Sequence, residues 1–132
     1  MAQVLSDRQL AEFRTRLRDR HRALRDEIRA ALLGADESQY ADLAGQVHDL
    51  EEESVADLLE DLQLADIDRH VEEIRSVEAA LQRIAEGTFG LCVDCGGEIG
   101  IDRLKAYPTA ARCLEDQAAH EHGYAGAGRP KL

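Results

Sequence analysis

The chain has no tryptophan, one methionine, two prolines and only five aromatic rings in 132 residues. So few rings argue against a single broad globular core. An N-terminal apolar targeting segment and any long apolar run are also missing. The sequence therefore reads as lacking a signal peptide and a membrane span, and the expected compartment is the cytosol. Cysteine is scarce and odd in number, at 92, 95 and 113. Disulfides are rare in the cytosol, so metal binding or burial is the better starting expectation. A basic excess is missing too: 16 Lys+Arg stand against 27 Asp+Glu, net −11. Duplex binding relies on cations that neutralise phosphates, so direct DNA binding is not expected. What is abundant is charge, 33% of residues, together with ten glycines. That composition fits partial disorder or long exposed helices, and the length suggests one domain, or a small domain with an appendage.

Divided along the chain, the charge is organised. Residues 6–33 hold eight Arg and five acids, 34–53 hold seven acids and no Lys or Arg, and 54–86 hold nine acids and three Arg. Residues 6–33 predict a helix. Ser6 and Gln9 make a capping box, Leu10, Phe13, Leu17, Leu24, Ile28 and Leu32 form a stripe, and Gly34 is placed to end it. Residues 54–86 predict a second helix, with Ile67, Ile74 and Leu81 repeating every seven and His70, Val77 and Ile84 interleaved. That is an a/d seam closed by Gly87. His70 reads as a polar seam residue that fixes register. At about 1.5 Å per residue the helices would run roughly 40 and 50 Å. Neither stripe suits a large core, so the two are expected to bury each other as an antiparallel hairpin, basic helix against acidic helix. Residues 34–53 then form an acidic tip projecting at the far end. A charge run is ordinarily a solvated loop; on the end of a stiff rod it has the shape of a probe.

Cys92-Val-Asp-Cys95-Gly96-Gly97 has the spacing of a zinc knuckle, with glycine permitting the tight turn. Cys113 follows after 17 intervening residues, the spacing expected before a second Cys-x-x-Cys pair. The fourth position is Asp116. Pro108 suits the first turn of a C-terminal helix over 109–122, which would place Cys113 and Asp116 on one face. His120 and His122 fall too far along that helix for the same ion. The expected site is one structural zinc held by Cys92, Cys95, Cys113 and Asp116, with all four positions filled and none open for catalysis. A knuckle held by packing without metal and a Cys92–Cys95 redox pair remain alternatives. Residues 123–132, rich in glycine, read as a flexible tail.

The run Phe89-Gly90-Leu91-Cys92-Val93-Asp94-Cys95-Gly96, with Glu98-Ile99-Gly100-Ile101, Arg103-Leu104-Lys105-Ala106, Pro108-Thr109-Ala110 and Cys113, resembles the zinc-finger signature of the DksA/TraR family of bacterial transcription regulators. The match is specific over 78–117, looser over the second helix and architectural over the first. The resemblance implies a mainly α fold: a long antiparallel coiled-coil hairpin (1–86), a small zinc-finger globular part with a C-terminal helix (87–122), and the tail. It also implies a partner, RNA polymerase, whose secondary channel receives the hairpin so that an acidic tip nears the catalytic magnesium. The family's Asp-x-x-Asp-x-Ala tip pattern falls on Asp49, Glu52 and Ser54, and a polymerase-contacting arginine falls on Arg69. An ion pair with helix one is the competing account of Arg69. Asp116 departs from the family's fourth cysteine. Positions where the family presents basic side chains to the alarmone guanosine tetraphosphate read Ser76, Tyr107 and Gln117, and a polyphosphate needs Arg or Lys. A weak or absent alarmone response is expected.

The resulting expectation is a monomeric, non-enzymatic regulator of RNA polymerase. An acidic coiled-coil adaptor that never meets polymerase is the alternative. Less favoured is a Gre-type factor whose tip carboxylates recruit a second metal for transcript cleavage. No nucleophile–base arrangement and no phosphate-binding glycine loop points to an independent enzyme.

Overall fold

The protein was analysed as a computed structural model. It describes residues 5–34, 39–50, 54–60, 62 and 65–128, without the side chains of 39, 65, 66 and 123–128. Helix α1 (Asp7–Leu33) starts at the anticipated capping box, with Gln9 N–H donating to Ser6 Oγ at 3.1 Å and Ser6 N–H to Gln9 Oε1 at 2.9 Å. It ends at Gly34. The apolar stripe faces inward: Phe13, Leu17, Leu24, Ile28 and Leu32 are buried, and Leu10 packs against the core partly exposed. Helix α4 (Ala65–Glu86) runs antiparallel to α1. His21 meets Glu78 at 2.8 Å and Glu27 meets His70 at 3.0 Å, so numbers rise on one helix as they fall on the other, and Arg20 reaches Glu73 between these levels at 2.5 Å.

The hairpin is shorter on its second arm than the heptads predict. Residues 54–86 are not one helix: a single turn, α3 (Val55–Leu58), is separated from α4. No glycine or proline makes the break. Extending the seam back by sevens from Ile67 and His70 would put Glu60, Glu53 and Gln63 in the core. Breaking the helix instead lets Val55, Ala56 and Leu59 be buried. Residues 34–53 also differ from the expected projecting tip. They contain a helix, α2 (Gln39–Asp49), which packs along α1 and buries Ala44 and Val47. Near its end the hairpin is therefore a small bundle with one apolar core, because two narrow stripes alone leave Leu24, Ile28 and Leu32 uncovered on one side.

The polar residue inside the helix pair is not His70. His70 lies on the rim with a side chain 31% exposed, paired to Glu27. The histidine inside the core is His21, which is fully buried. It fills the stripe position between Leu17 and Leu24. Buried side chains of α2 and α3 help complete the core, and His70 stays at its rim.

The second half is stitched by turns. Leu91 and Glu98 form an isolated antiparallel bridge, and α5 (Ile101–Ala106) follows Gly100. Phe89, Ile99 and Leu104 are buried with Leu5, and the Phe89 ring packs on Phe13 of α1 at 5.4 Å. The C-terminal helix α6 is Leu114–Gly128. It begins after Cys113 rather than at 109, because Pro108 sits in a turn closed by Ala110 N–H to Tyr107 O at 2.9 Å. Residues 123–128, expected in a tail, continue α6; residues 129–132 lie outside the described residues. Among the described residues no helix is long and apolar enough to cross a membrane.

Candidate metal centre and acidic segment

The Cys92–Cys95 turn is built by the backbone. Cys92 N–H donates to Gly97 O at 2.7 Å and Gly96 N–H to Cys92 O at 2.9 Å. Gly96 has φ +76, a left-handed conformation that glycine adopts without strain. The third and fourth groups are brought to it by the connection into α6. Val93 N–H donates to Ala111 O at 2.9 Å, and Arg112 Nε to Asp94 Oδ2 at 2.7 Å. Arg103 Nε reaches Arg112 O at 3.1 Å. Cys113 then precedes α6, accepting from Gln117 N–H at 2.8 Å, and Asp116 falls in its first turn.

The Sγ atoms of Cys92, Cys95 and Cys113 and a carboxylate oxygen of Asp116 all lie within 4.8 Å of one another. Cys95 and Cys113 sulfurs are 4.0 Å apart, and Cys92 Sγ is 3.0 Å from Asp116 Oδ2. A tetrahedral zinc with Zn–S of about 2.3 Å has sulfur–sulfur edges near 3.8 Å. The four groups fit such an ion, and they form one cluster as the spacing predicted. The four groups bias one another's protonation. Gly97 N–H draws the Cys95 thiol down, but Asp116, Cys92, burial and Cys113 together push it up to about 12. Burial raises Cys92, and the backbone N–H groups of Cys95, Cys113 and Asp94 bring it below its ordinary value. Thiol donation from Cys92, then Cys95 and Cys113, holds Asp116 below the ordinary carboxylate range. Anionic ligands crowded this closely ionise together when a divalent cation compensates them.

Of the seven acids in 34–53, Asp42 and Asp49 are among the described residues, and both lie on α2. Asp49 ends α2, alongside Arg25 of α1 and so about 12 Å short of the end of α1. Its side chain is 86% exposed, with His48 Nδ1 at 3.8 Å. Ser54 is exposed and stands at the N-cap of α3 without a side-chain cap bond. Glu52 lies outside the described residues. Arg69 is exposed on α4; His70, Glu73 and Glu78 of this helix make ion pairs with α1.

Ser76, Tyr107 and Gln117 line one open cavity of about 580 Å³ with Arg103, Arg112 and Glu121. Of its two guanidinium groups, Arg112 is paired with Asp94 and Arg103 is bonded to a carbonyl. Gln117 donates to Glu121 at 2.7 Å. Three residues that the sequence reading passed over also matter: His21, Arg25 and Glu78. Only His21 left a signal, as a polar residue on an otherwise apolar stripe.

Residues 87–122 match the family model described as the prokaryotic dksA/traR C4-type zinc finger. Along the chain, similarity extends to the RNA polymerase-binding transcription factor DksA of Escherichia coli (strain K12). It is 32% identical over 113 residues, covering 86% of this chain and 72% of that protein. The DnaK suppressor protein of Agrobacterium tumefaciens, solved in solution, superposes with TM-score 0.60 at 33% identity, over 90% of this chain and 99% of that one. Transcription factor DksA2 of Pseudomonas aeruginosa superposes with TM-score 0.56 at 26% identity, over 89% and 86%.

Proposed function

The chain belongs to the DksA/TraR zinc-finger family, and on that premise we propose that it is a non-enzymatic transcription regulator that binds RNA polymerase. The observation that carries this reading is that the likeness to a named polymerase-binding factor runs over 86% of the chain, through the hairpin as well as the finger. The helical end of the molecule enters the polymerase secondary channel. Asp49, with Glu52 and Ser54 after it, acts electrostatically near the catalytic centre and alters initiation, while Arg69 contacts the enzyme from α4. The exposure of Asp49 and Arg69 supports these assignments. Zinc, held by Cys92, Cys95, Cys113 and Asp116, supplies cross-linking between the knuckle and α6 and no chemistry on a substrate. The protein acts in the cytoplasm as a monomer, without contacting DNA directly.

Alarmone dependence is weak or absent. Ser76, Tyr107 and Gln117 offer no cation, Arg112 is already engaged by Asp94, and Glu121 adds a negative charge to the same cavity. Phosphate binding there would have to break that pair or compete with the Arg112 carbonyl for Arg103.

The deciding experiment measures binding to core RNA polymerase and the effect on a ribosomal promoter, with wild type and Asp49→Asn side by side. Retained binding with a lost transcriptional effect is expected. Absence of binding by either protein overturns the reading in favour of an adaptor role. In the same assay, strong enhancement by guanosine tetraphosphate would overturn the alarmone assignment.

A further inference from the structure

Asp49 is the last residue of α2, where helix carbonyls run out of partners. A donor comes from the neighbouring helix. Arg25 Nη1 donates to Leu50 O at 2.5 Å and lies 3.4 Å from His48 O. These two carbonyls flank Asp49. The Arg25 side chain is half-buried, and a cation is favoured at a helix C-terminus. The backbone on both sides of Asp49 is thus held while its carboxylate remains 86% exposed.

A second anchor follows at Val55. Its N–H donates to Glu78 Oε2 at 2.8 Å, and the same oxygen lies 2.8 Å from His21 Nε2. Ser54 makes no cap bond with its own side chain, so Glu78 of α4 satisfies the first turn of α3 in its place. His21 is fully buried and the Glu78 side chain only 15% exposed. Such a pair adds little net stability over an apolar equivalent, but losing one partner is costly, and the pair specifies a single arrangement. His21 and Arg25 lie one turn apart on α1. Both anchors, before and after the acidic segment, therefore trace to one turn of one helix.

We propose that Arg25 and the His21–Glu78 pair are positioning residues for Asp49: they pin the backbone at Leu50 and at Val55 and so set where that carboxylate stands when polymerase is engaged. This rests on the proposed polymerase function and adds a determinant that an acidic tip alone does not contain. It places the specificity of the carboxylate's position in α1 and α4 rather than in the acidic segment itself.

The test uses the full zinc-loaded chain with Arg25→Ala, Arg25→Lys, Glu78→Ala and Glu78→Gln, and Asp49→Asn as reference. Three quantities are read: polymerase affinity, promoter effect at saturating protein, and amide exchange at Val55. In Glu78→Ala, loss of one charge-assisted bond speeds Val55 exchange about tenfold or more. Arg25→Ala and Glu78→Ala retain polymerase binding and lose the promoter effect, as Asp49→Asn does. Glu78→Gln keeps an oxygen acceptor and stays near wild type, and Arg25→Lys is intermediate. Should either alanine variant unfold, the Lys and Gln variants and the slow exchange of Val55 in wild type remain as readouts. Full promoter activity in folded alanine variants overturns the positioning role. So does unprotected Val55 in wild type, or a loss of binding that accounts for the lost activity. If wild type fails to bind polymerase, the functional reading fails, and Val55 exchange still judges the anchors.

Discussion

The two halves of the molecule are held by different physics. From α1 to α4 the fold rests on a continuous apolar core, with Leu17, Leu24, Ile28, Leu32, Ile67 and Ile74 at 2% exposure or less. From 87 to 122 there is one isolated bridge, a six-residue helix and a few buried side chains, with turns and a four-ligand cluster supplying the rest. Removing an ion should barely touch the first half and dismantle the second. Removing a methyl group should do the reverse.

The largest effect is expected from metal removal. Structural zinc contributes roughly 10–16 kcal/mol of apparent binding energy in isolated fingers at neutral pH. A chelator, or Cys92→Ala, should collapse the amide dispersion of 87–122 in an NMR spectrum. Signals of α1 and α4 should keep their positions away from the Phe13–Phe89 contact. Collapse of both halves together would break the comparison. Next comes Ile28→Ala, which opens a cavity in the bundle and should cost about 2–5 kcal/mol in denaturant unfolding while leaving zinc stoichiometry at one. Ser6→Ala removes half of the capping box and should cost about 1 kcal/mol by the same measurement.

The smallest effect concerns a pair on the bundle surface. Hydrogen bonding from Arg20 holds the Glu73 carboxyl below its ordinary 4.5. A carboxyl depressed in the folded state stabilises above its unfolded pKa and loses that contribution as pH falls through the folded value. Both side chains are about 43–44% exposed, so Glu73→Gln should cost less than about 1 kcal/mol near pH 7. The difference from wild type should vanish in strong acid. A larger or pH-independent cost would show that the pair belongs to the core rather than to its rim.

Local signals were read well where one short stretch carried the whole message. The Ser6–Gln9 box, the stripe on α1 and the Cys92–Cys95 knuckle with Cys113 and Asp116 each depend on residue type at fixed spacing. That spacing survives folding because a helix or a tight turn sets it. The reading went astray where a choice depended on neighbours. Gly34 marked a turn, but nothing within residues 34–53 says that α2 folds back along α1 rather than projecting. Heptads on one helix point to His70 as the polar seam residue. They carry no information on α2 and α3, which complete the core on another side.

Residue pattern alone therefore pointed to the mainly helical class, the basic-against-acidic pairing of α1 with α4, and the four residues that cluster as the candidate zinc site. Each follows from periodicity or from donor chemistry within a few turns of chain. Packing settled what is shared between distant segments. It started α4 late, with Val55, Ala56 and Leu59 buried and Glu60 exposed, and it put His21 rather than His70 in the interior. It also brought Arg25 to the carbonyls around Asp49. Those outcomes turn on which apolar faces remain uncovered once α1 and α4 have met, a quantity that exists only in three dimensions.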